Sequence, residues 1–355
     1  MSDSVLADSP LEFALRAPKA ELHMHIEGSL EPELAFALAQ RNGIDFPFAS
    51  VEALRAAYDF SNLQSFLDLY YSCADVLRTE QDFHDLMLAY LRRAHADGVV
   101  RAEVMFDPQT HTARGIPMQV VFDGFLAGIA SGEKECGISV GLILCFLRHL
   151  SEDECLATLE EAKPFMQHVM AFGLDSSEVG HPPSKFVRLY AACRALGKPV
   201  VAHAGEEGPP AFITEALDLL KVNRIDHGVR SVDDPAVLAR VARERVPLTV
   251  CPLSNVRLCV FDDMRQHSLP KLLAAGACVT INSDDPAYFG GYLGDNIRAV
   301  QAAFNFDRTV WYQLARNSID ASFASPADKA RWLAALDASL CATGTAGDSN
   351  GPLDE

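Results

Sequence analysis

Read along the chain, apolar positions fall into two kinds of segment. Short runs rich in β-branched residues, apolar almost throughout, alternate with longer segments whose apolar residues recur at helical spacing. Eight such runs predict strands over residues 19–28, 99–108, 138–148, 169–178, 199–206, 224–229, 247–255 and 278–286. Continuous apolar runs separated by helical segments are what strands buried on both faces of a parallel sheet require. Most of the runs change character abruptly in their last residues: VVAHAGE, IDHG, TVCPLSN and VTINSDDP all end in polar or charged groups. Polar C-terminal strand ends predict a closed parallel sheet with a reactive mouth, so the expected fold class is α/β, a (β/α)8 TIM barrel. An open doubly wound sheet is the rival, but no Gly-rich dinucleotide turn follows the first strand.

The interval from residue 31 to residue 97 is too long for one crossover and predicts a helical insertion after the first strand. Within it, Leu63, Phe66, Leu67 and Tyr70 follow helical spacing. Such a face is more often core than ligand contact, but an insertion at this point lies over the barrel mouth, where it would form a lid. The expected organisation is one domain over residues 1–341, with residues 342–355 reading as a disordered tail on composition.

Composition narrows the partners. A length of 355 residues suits a single α/β barrel, and 49% hydrophobic with 22% charged residues is globular. The formal net charge of −18 repels phosphate backbones and anionic lipid, which argues against nucleic acid and membrane surfaces as partners and leaves a small molecule. The nine cysteines are scattered, odd in number and form no C-x-x-C pair, a pattern of reduced thiols in a cytosolic protein. The N-terminal segment has no basic region followed by an apolar core, and no apolar stretch approaches the ~18 residues of a membrane span. The expected location is cytoplasmic. A homo-oligomer is compatible with the chain.

The polar strand ends hold the chemistry. His23 and His25 stand two apart on the first strand, so both side chains leave the same face. His203 lies in VVAHAGEEG at the end of the fifth strand, and Asp284 in INSDDP at the end of the eighth. Each alone reads as an isolated polar group at a strand end. Together, three imidazoles and a carboxylate at barrel-mouth positions make a zinc donor set with one position left for water. Glu206, three residues past His203, sits where the chain turns into a loop, beside such a metal but not bonded to it. His227, in RIDHGVR, is placed to act as base or as electrostatic partner. Asp285 follows Asp284 directly, so the two side chains diverge and only one reaches the metal.

The combination H-x-H on strand one, HAGE on strand five, DHG on strand six and SDDP on strand eight resembles the adenosine/adenine deaminase family of the amidohydrolase superfamily. The resemblance runs from about residue 19 to residue 296. It implies one zinc ion per chain held by His23, His25, His203 and Asp284, with Glu206 as proton donor, His227 assisting the attacking hydroxide and Asp285 binding a purine. Binuclear members of the superfamily carry a carbamylated lysine at the fourth strand end. Here that strand reads VMAFGLDSSE, and the next lysine, Lys185, lies well beyond it. The other zinc deaminase architecture needs P-C-x-x-C, which does not occur in this chain.

The stretches HIEGSLEPE and SDDPAYFGGY look more like adenine deaminases than adenosine deaminases. At the position of Glu27 the adenosine enzymes carry Asp, and the longer Glu is expected to occupy space that a ribose needs. The expected reaction is therefore zinc-dependent hydrolytic deamination of adenine to hypoxanthine and ammonia, a step of purine salvage. Adenosine or an N6-substituted adenine is the alternative substrate. The alternatives of other classes are another mononuclear amidohydrolase and a barrel that binds purines without turnover.

Overall fold

The computed structural model describes residues 9–60 and 62–341, so the expected tail lies outside the described residues. All eight predicted strands form: β1 Lys19–His25, β2 Val99–Phe106, β3 Ser139–Leu147, β4 Val169–Asp175, β5 Val201–Ala204, β6 Arg224–His227, β7 Pro247–Val250 and β8 Cys278–Ile281. They end earlier than the hydrophobic pattern suggested. The polar tails leave the ladder because they turn: His227 and Asp284 take φ of 62° and 65°, and neither conformation continues a strand.

The strands pair in parallel as two sets, β1-β2-β3-β4 and β5-β6-β7-β8. Two thin seams close them into a barrel. One is the parallel bridge Phe172–Val200 between β4 and the start of β5, and the other is the bridge Met24–Asp284 between β1 and the end of β8. At the second seam His25 N donates to Asp284 O at 2.9 Å and Asp284 N donates to His23 O at 3.2 Å. Side chains replace the remaining ladder bonds there. Leu22 N donates to Asn282 Oδ1 at 2.8 Å, and Ala20 N to Ser318 Oγ at 2.9 Å. Buried amides need partners, and this seam finds them off the ladder.

Strand alternation sorts the residues of the barrel into layers. Met105, Ile143, Cys145, Ala171 and Val201 form one buried apolar cluster, separate from the larger core between strands and helices. On the N-terminal side of β2, buried Glu103 accepts from Phe323 N, Arg101 and Arg224, while the Arg224 guanidinium lies over the Phe323 ring at 4.1 Å. The opposite, C-terminal end carries the histidines.

A short helix α1, Pro10–Arg16, precedes β1, and the insertion after β1 contains α2 Pro32–Asn42, α3 Val51–Ala56, α4 Leu63–Ala74 and α5 Glu80–Ala96. Helix α4 starts at Asn62, whose side chain accepts from Ser65 N at 2.9 Å. Its buried stripe, Leu63, Phe66, Leu67 and Tyr70, is the one the periodicity singled out. No described helix is long and apolar enough to cross a membrane. Of the nine cysteines, the eight with described side chains form no disulfide.

Candidate active site

At the mouth, the predicted donors converge. His23, His25, His203 and Asp284 are all buried, and one ligand atom from each lies within 4.8 Å of the others. His23 Nε2 is 3.3 Å from Asp284 Oδ1, His25 Nε2 is 3.5 Å from the same oxygen, and His25 Nε2 is 3.4 Å from His203 Nε2. Ligands about 2.1 Å from a common tetrahedral centre lie roughly 3.4 Å apart, so the set fits a zinc-sized ion. His23 Nε2 has no hydrogen-bond partner although it is fully buried, an arrangement a cation would satisfy.

Supporting groups aim these rings. His23 Nδ1 donates to the Thr249 carbonyl (3.2 Å) and Thr249 Oγ1 (3.0 Å), and Thr249 Oγ1 donates onward to Asp226 Oδ1 at 2.8 Å. His25 Nδ1 faces Asp175 Oδ2 at 3.4 Å, and His203 Nδ1 faces Asp226 Oδ2 at 3.7 Å. With each Nδ1 turned towards an acceptor, the three Nε2 atoms point at one another, as metal-binding imidazoles are oriented. Burial lowers His25 to about 4 and takes His203 well below its usual value, so both rings are neutral. Burial opposes a charge on Asp284 too, but the facing imidazoles, His23 foremost, take its carboxyl well below the ordinary range. A second grouping, His23, His227, Cys251 and Asp284, is chemically poorer. Burial raises the Cys251 thiol well above its ordinary range, and it is occupied with Thr249 O at 3.6 Å.

Glu206 faces the same space without joining the donor set. The turn after β5 depends on Gly205, which has φ of 72° and no room for a Cβ, which would lie 2.6 Å from Ile213 Cδ1. Glu178 pins that turn: its carboxylate accepts from the backbone amides of Gly205, Glu206, Glu207 and Gly208 at 2.6–3.1 Å. Burial, followed by Asp284, Glu178 and Glu207, raises the Glu206 carboxyl well above its ordinary range. Its Oε1 is buried without a partner, and its Oε2 lies 3.5 Å from His227 Nε2. His227 Nε2 is in turn 3.7 Å from Asp284 Oδ2. Asp285 diverges from Asp284 as expected and packs over Gly28, where a Cβ would fall 1.9 Å from Asp285 Oδ1. Lys185 is outside the cluster, donating to the Arg148 carbonyl at 2.8 Å.

One cavity joins these groups. His25, His203, Glu206, His227, Asp284 and Asp285 line it from the barrel, and Leu63, Phe66, Leu67 and Tyr70 line it from α4. The α4 stripe is thus both core and cavity wall. Phe66 touches Phe60, Tyr70, Tyr288 and Phe289 with ring centroids 4.6–5.5 Å away, and it also walls the cavity.

Glu27 is buried beside two lining residues, Asp107 and Tyr70: its carboxylate accepts from Asp107 N at 3.3 Å and faces His111 Nε2 at 2.7 Å, and Tyr70 is among the influences on its pKa.

Two lining carboxyls escaped the sequence reading. Asp107 and Asp175, at the ends of β2 and β4, are buried with oxygens lacking hydrogen-bond partners. Burial and then Glu27 push Asp107 up to about 7, while burial and then Asp107 take Asp175 well above its range. Strand alternation carried the signal. Asp107 is two residues beyond Met105, and Asp175 is four beyond Ala171, both of the barrel-interior cluster.

A parallel barrel with three buried histidines and an aspartate converging at its C-terminal mouth defines a protein of the amidohydrolase class. The family model described as adenosine deaminase matches residues 18–339, and the chain belongs to that family. It is 56% identical over 343 residues to the adenine deaminase of Paraburkholderia xenovorans, covering 95% of this chain and 98% of that protein. It is 58% identical over 325 residues to that of Ralstonia pickettii, covering 90% and 94%. Among solved structures, the adenine deaminase from Arthrobacter aurescens superposes with a TM-score of 0.90 at 52% identity, over 91% of this chain and 99% of that one. A zinc-bound amidohydrolase from Burkholderia ambifaria superposes with a TM-score of 0.86 at 26% identity, over 97% and 98%.

Proposed function

We propose that this chain is a cytoplasmic purine-salvage enzyme that hydrolyses adenine to hypoxanthine and ammonia, using one zinc ion per chain. The observation that carries the reading is one cavity in which a donor set of three histidines and one aspartate faces Glu206, a buried carboxyl that burial raises well above its ordinary range. The curated relatives named adenine deaminase, matched at 56–58% identity over at least nine-tenths of the chain, support the substrate.

His23, His25, His203 and Asp284 would hold the ion. Zinc in such a set supplies Lewis acidity that lowers the pKa of water towards ~7. The residues of the chain do the rest. Glu206 delivers its proton to ring N1, which leaves C6 electron-poor and open to water. His227 and Asp284 flank that water. The ring nitrogen N7 is only an acceptor, so its partner must donate. Asp285 suits this need, because burial and then Asp284, Asp107 and Glu206 raise its carboxyl well above its ordinary range, which favours the proton-bearing form. Water adds at C6 and gives up both protons, one to the amino group, which leaves as ammonia, and one back to Glu206, while N1 keeps the proton it received and α4 shields the cavity from bulk water.

Adenine is expected to be turned over at least ~10²-fold more efficiently than adenosine, since closing out a whole ribose exceeds the ~1–3 kcal/mol of a single methylene. The measurement is kcat/KM by ammonia release for adenine, adenosine and N6-methyladenine at one pH. Equal values, or a preference for adenosine, overturn the free-base reading. A protein that binds these purines and releases no ammonia overturns the enzyme reading.

The α4 wall yields its own test. Phe66→Ala is expected to cost ~3–5 kcal/mol of stability, as truncation of a buried Phe commonly does, and to raise KM for adenine as well. Denaturant unfolding and steady-state kinetics on the same sample separate the two effects. An unchanged KM makes Phe66 core alone.

A further inference from the structure

The polar segment that follows strand β7 has no place in the chemistry so far, yet Asn255, in the short helix Pro252–Arg257, touches a catalytic ring. Asn255 is fully buried, and its Nδ2 lies 3.2 Å from His227 Nδ1. Its Oδ1 lies 3.1 Å from His267 Nε2, and Leu269 N lies 3.0 Å from His267 Nδ1.

These contacts form a chain with only one consistent assignment of protons. A backbone N–H can only donate, so His267 Nδ1 accepts and carries no proton. The proton of that ring is then on Nε2, which donates to Asn255, and the atom it meets must be Oδ1. The other end of the amide is therefore the NH2 group, which donates to His227 Nδ1. A ring that accepts at Nδ1 carries its proton on Nε2. That atom faces Glu206 Oε2 at 3.5 Å and Asp284 Oδ2 at 3.7 Å. Burial lowers His267 to about 3, in keeping with a neutral ring, and Phe261 covers its face at 4.5 Å.

We infer that Asn255 and His267 are positioning residues that fix the proton of His227 on Nε2, so that His227 meets the water oxygen as a hydrogen-bond donor and not as a base at that nitrogen. The sequence left both roles open for His227. The hydrogen-bond chain decides between them, because the Nε2 lone pair needed by a base is already used for the proton. The catalytic consequence rests on the deaminase reading, whereas the proton position does not.

The test uses the metal-loaded protein labelled with 15N-histidine, in which long-range 1H–15N correlation spectra distinguish protonated from bare ring nitrogens. His227 and His267 are both expected to show a protonated Nε2 and a bare Nδ1. A protonated Nδ1 on His227 in the unmodified protein overturns the inference, and no variant has to fold for this result. Asn255→Asp then replaces the donating NH2 with an acceptor and draws the His227 proton to Nδ1. A wrong tautomer in a catalytic histidine is costly, so kcat is expected to fall ~10²-fold or more, with KM within about threefold and metal content unchanged. Turnover at the unmodified rate overturns the catalytic role. Gln at position 267 can still present an N–H to Asn255, whereas Phe cannot, so His267→Gln is expected to retain more kcat than His267→Phe. Equal kcat in the two removes His267 from the chain. Should the unmodified protein release no ammonia from any purine, the deaminase reading falls, while the labelled spectrum still decides the proton positions.

Discussion

Glu206→Gln is expected to keep the metal and bind adenine while kcat falls ~10²–10⁴-fold, the usual worth of a positioned proton donor. The substitution changes little in shape. Gln keeps the backbone amide that donates to Glu178 at 3.1 Å, so the turn that presents the side chain is preserved. What disappears is a carboxyl able to donate a proton, whose pKa burial and then Asp284, Glu178 and Glu207 raise well above the ordinary range. Metal analysis, an adenine binding isotherm and single-turnover ammonia release on the same preparation check the three parts. Loss of the metal would make Glu206 a ligand, and near-normal turnover would place the proton donor elsewhere in the cavity, where Asp107, Asp175 and Asp285 are further buried carboxyls with raised pKa values.

Asp284→Ala is expected to remove metal and activity together. Loss of a group that merely supports a ligand commonly weakens metal binding by ~10–100-fold, and Asp284 is placed as a ligand, so the loss should exceed that. Its carboxylate also supplies the negative charge facing His23, His25 and His227, at 3.3–3.7 Å. The fold should survive, because the seam bonds here run through the backbone of Asp284, from His25 N and to His23 O. A further cost comes from the backbone: Asp284 has φ of 65°, and Ala tolerates that region poorly, by ~1–2 kcal/mol. Elemental analysis, a melting curve and an activity assay separate these contributions. Retained metal at full occupancy would remove Asp284 from the donor set.

The two substitutions probe residues that are neighbours only in the folded barrel, yet both were legible in the chain. Each of His23, His25, His203, Glu206, His227, Asp284 and Asp285 stands where an apolar run gives way to polar residues, and a parallel barrel gathers all such ends at one mouth. The α4 stripe was legible for the same kind of reason, since helical periodicity is a local property. The contacts of Glu27 were not legible, because its carboxylate meets His111, a residue that follows β2 and that no local pattern connects to β1.

By itself, then, the sequence determined the elements, their order, the end of the barrel that is reactive and the side chains gathered there, because strand alternation, helical spacing and the change to polar residues at strand ends are written within a few residues. Only the tertiary structure decided what those side chains do to one another. The β1–β8 seam sets His23 and His25 against Asp284, Glu178 gathers four backbone amides from the next strand's turn, and Asn255 with His267 assigns a proton to His227. Each of these depends on which chain segments meet across the mouth. Hydrogen bonds act over about 3 Å, a distance that spacing along the chain leaves free and only the closed barrel fixes.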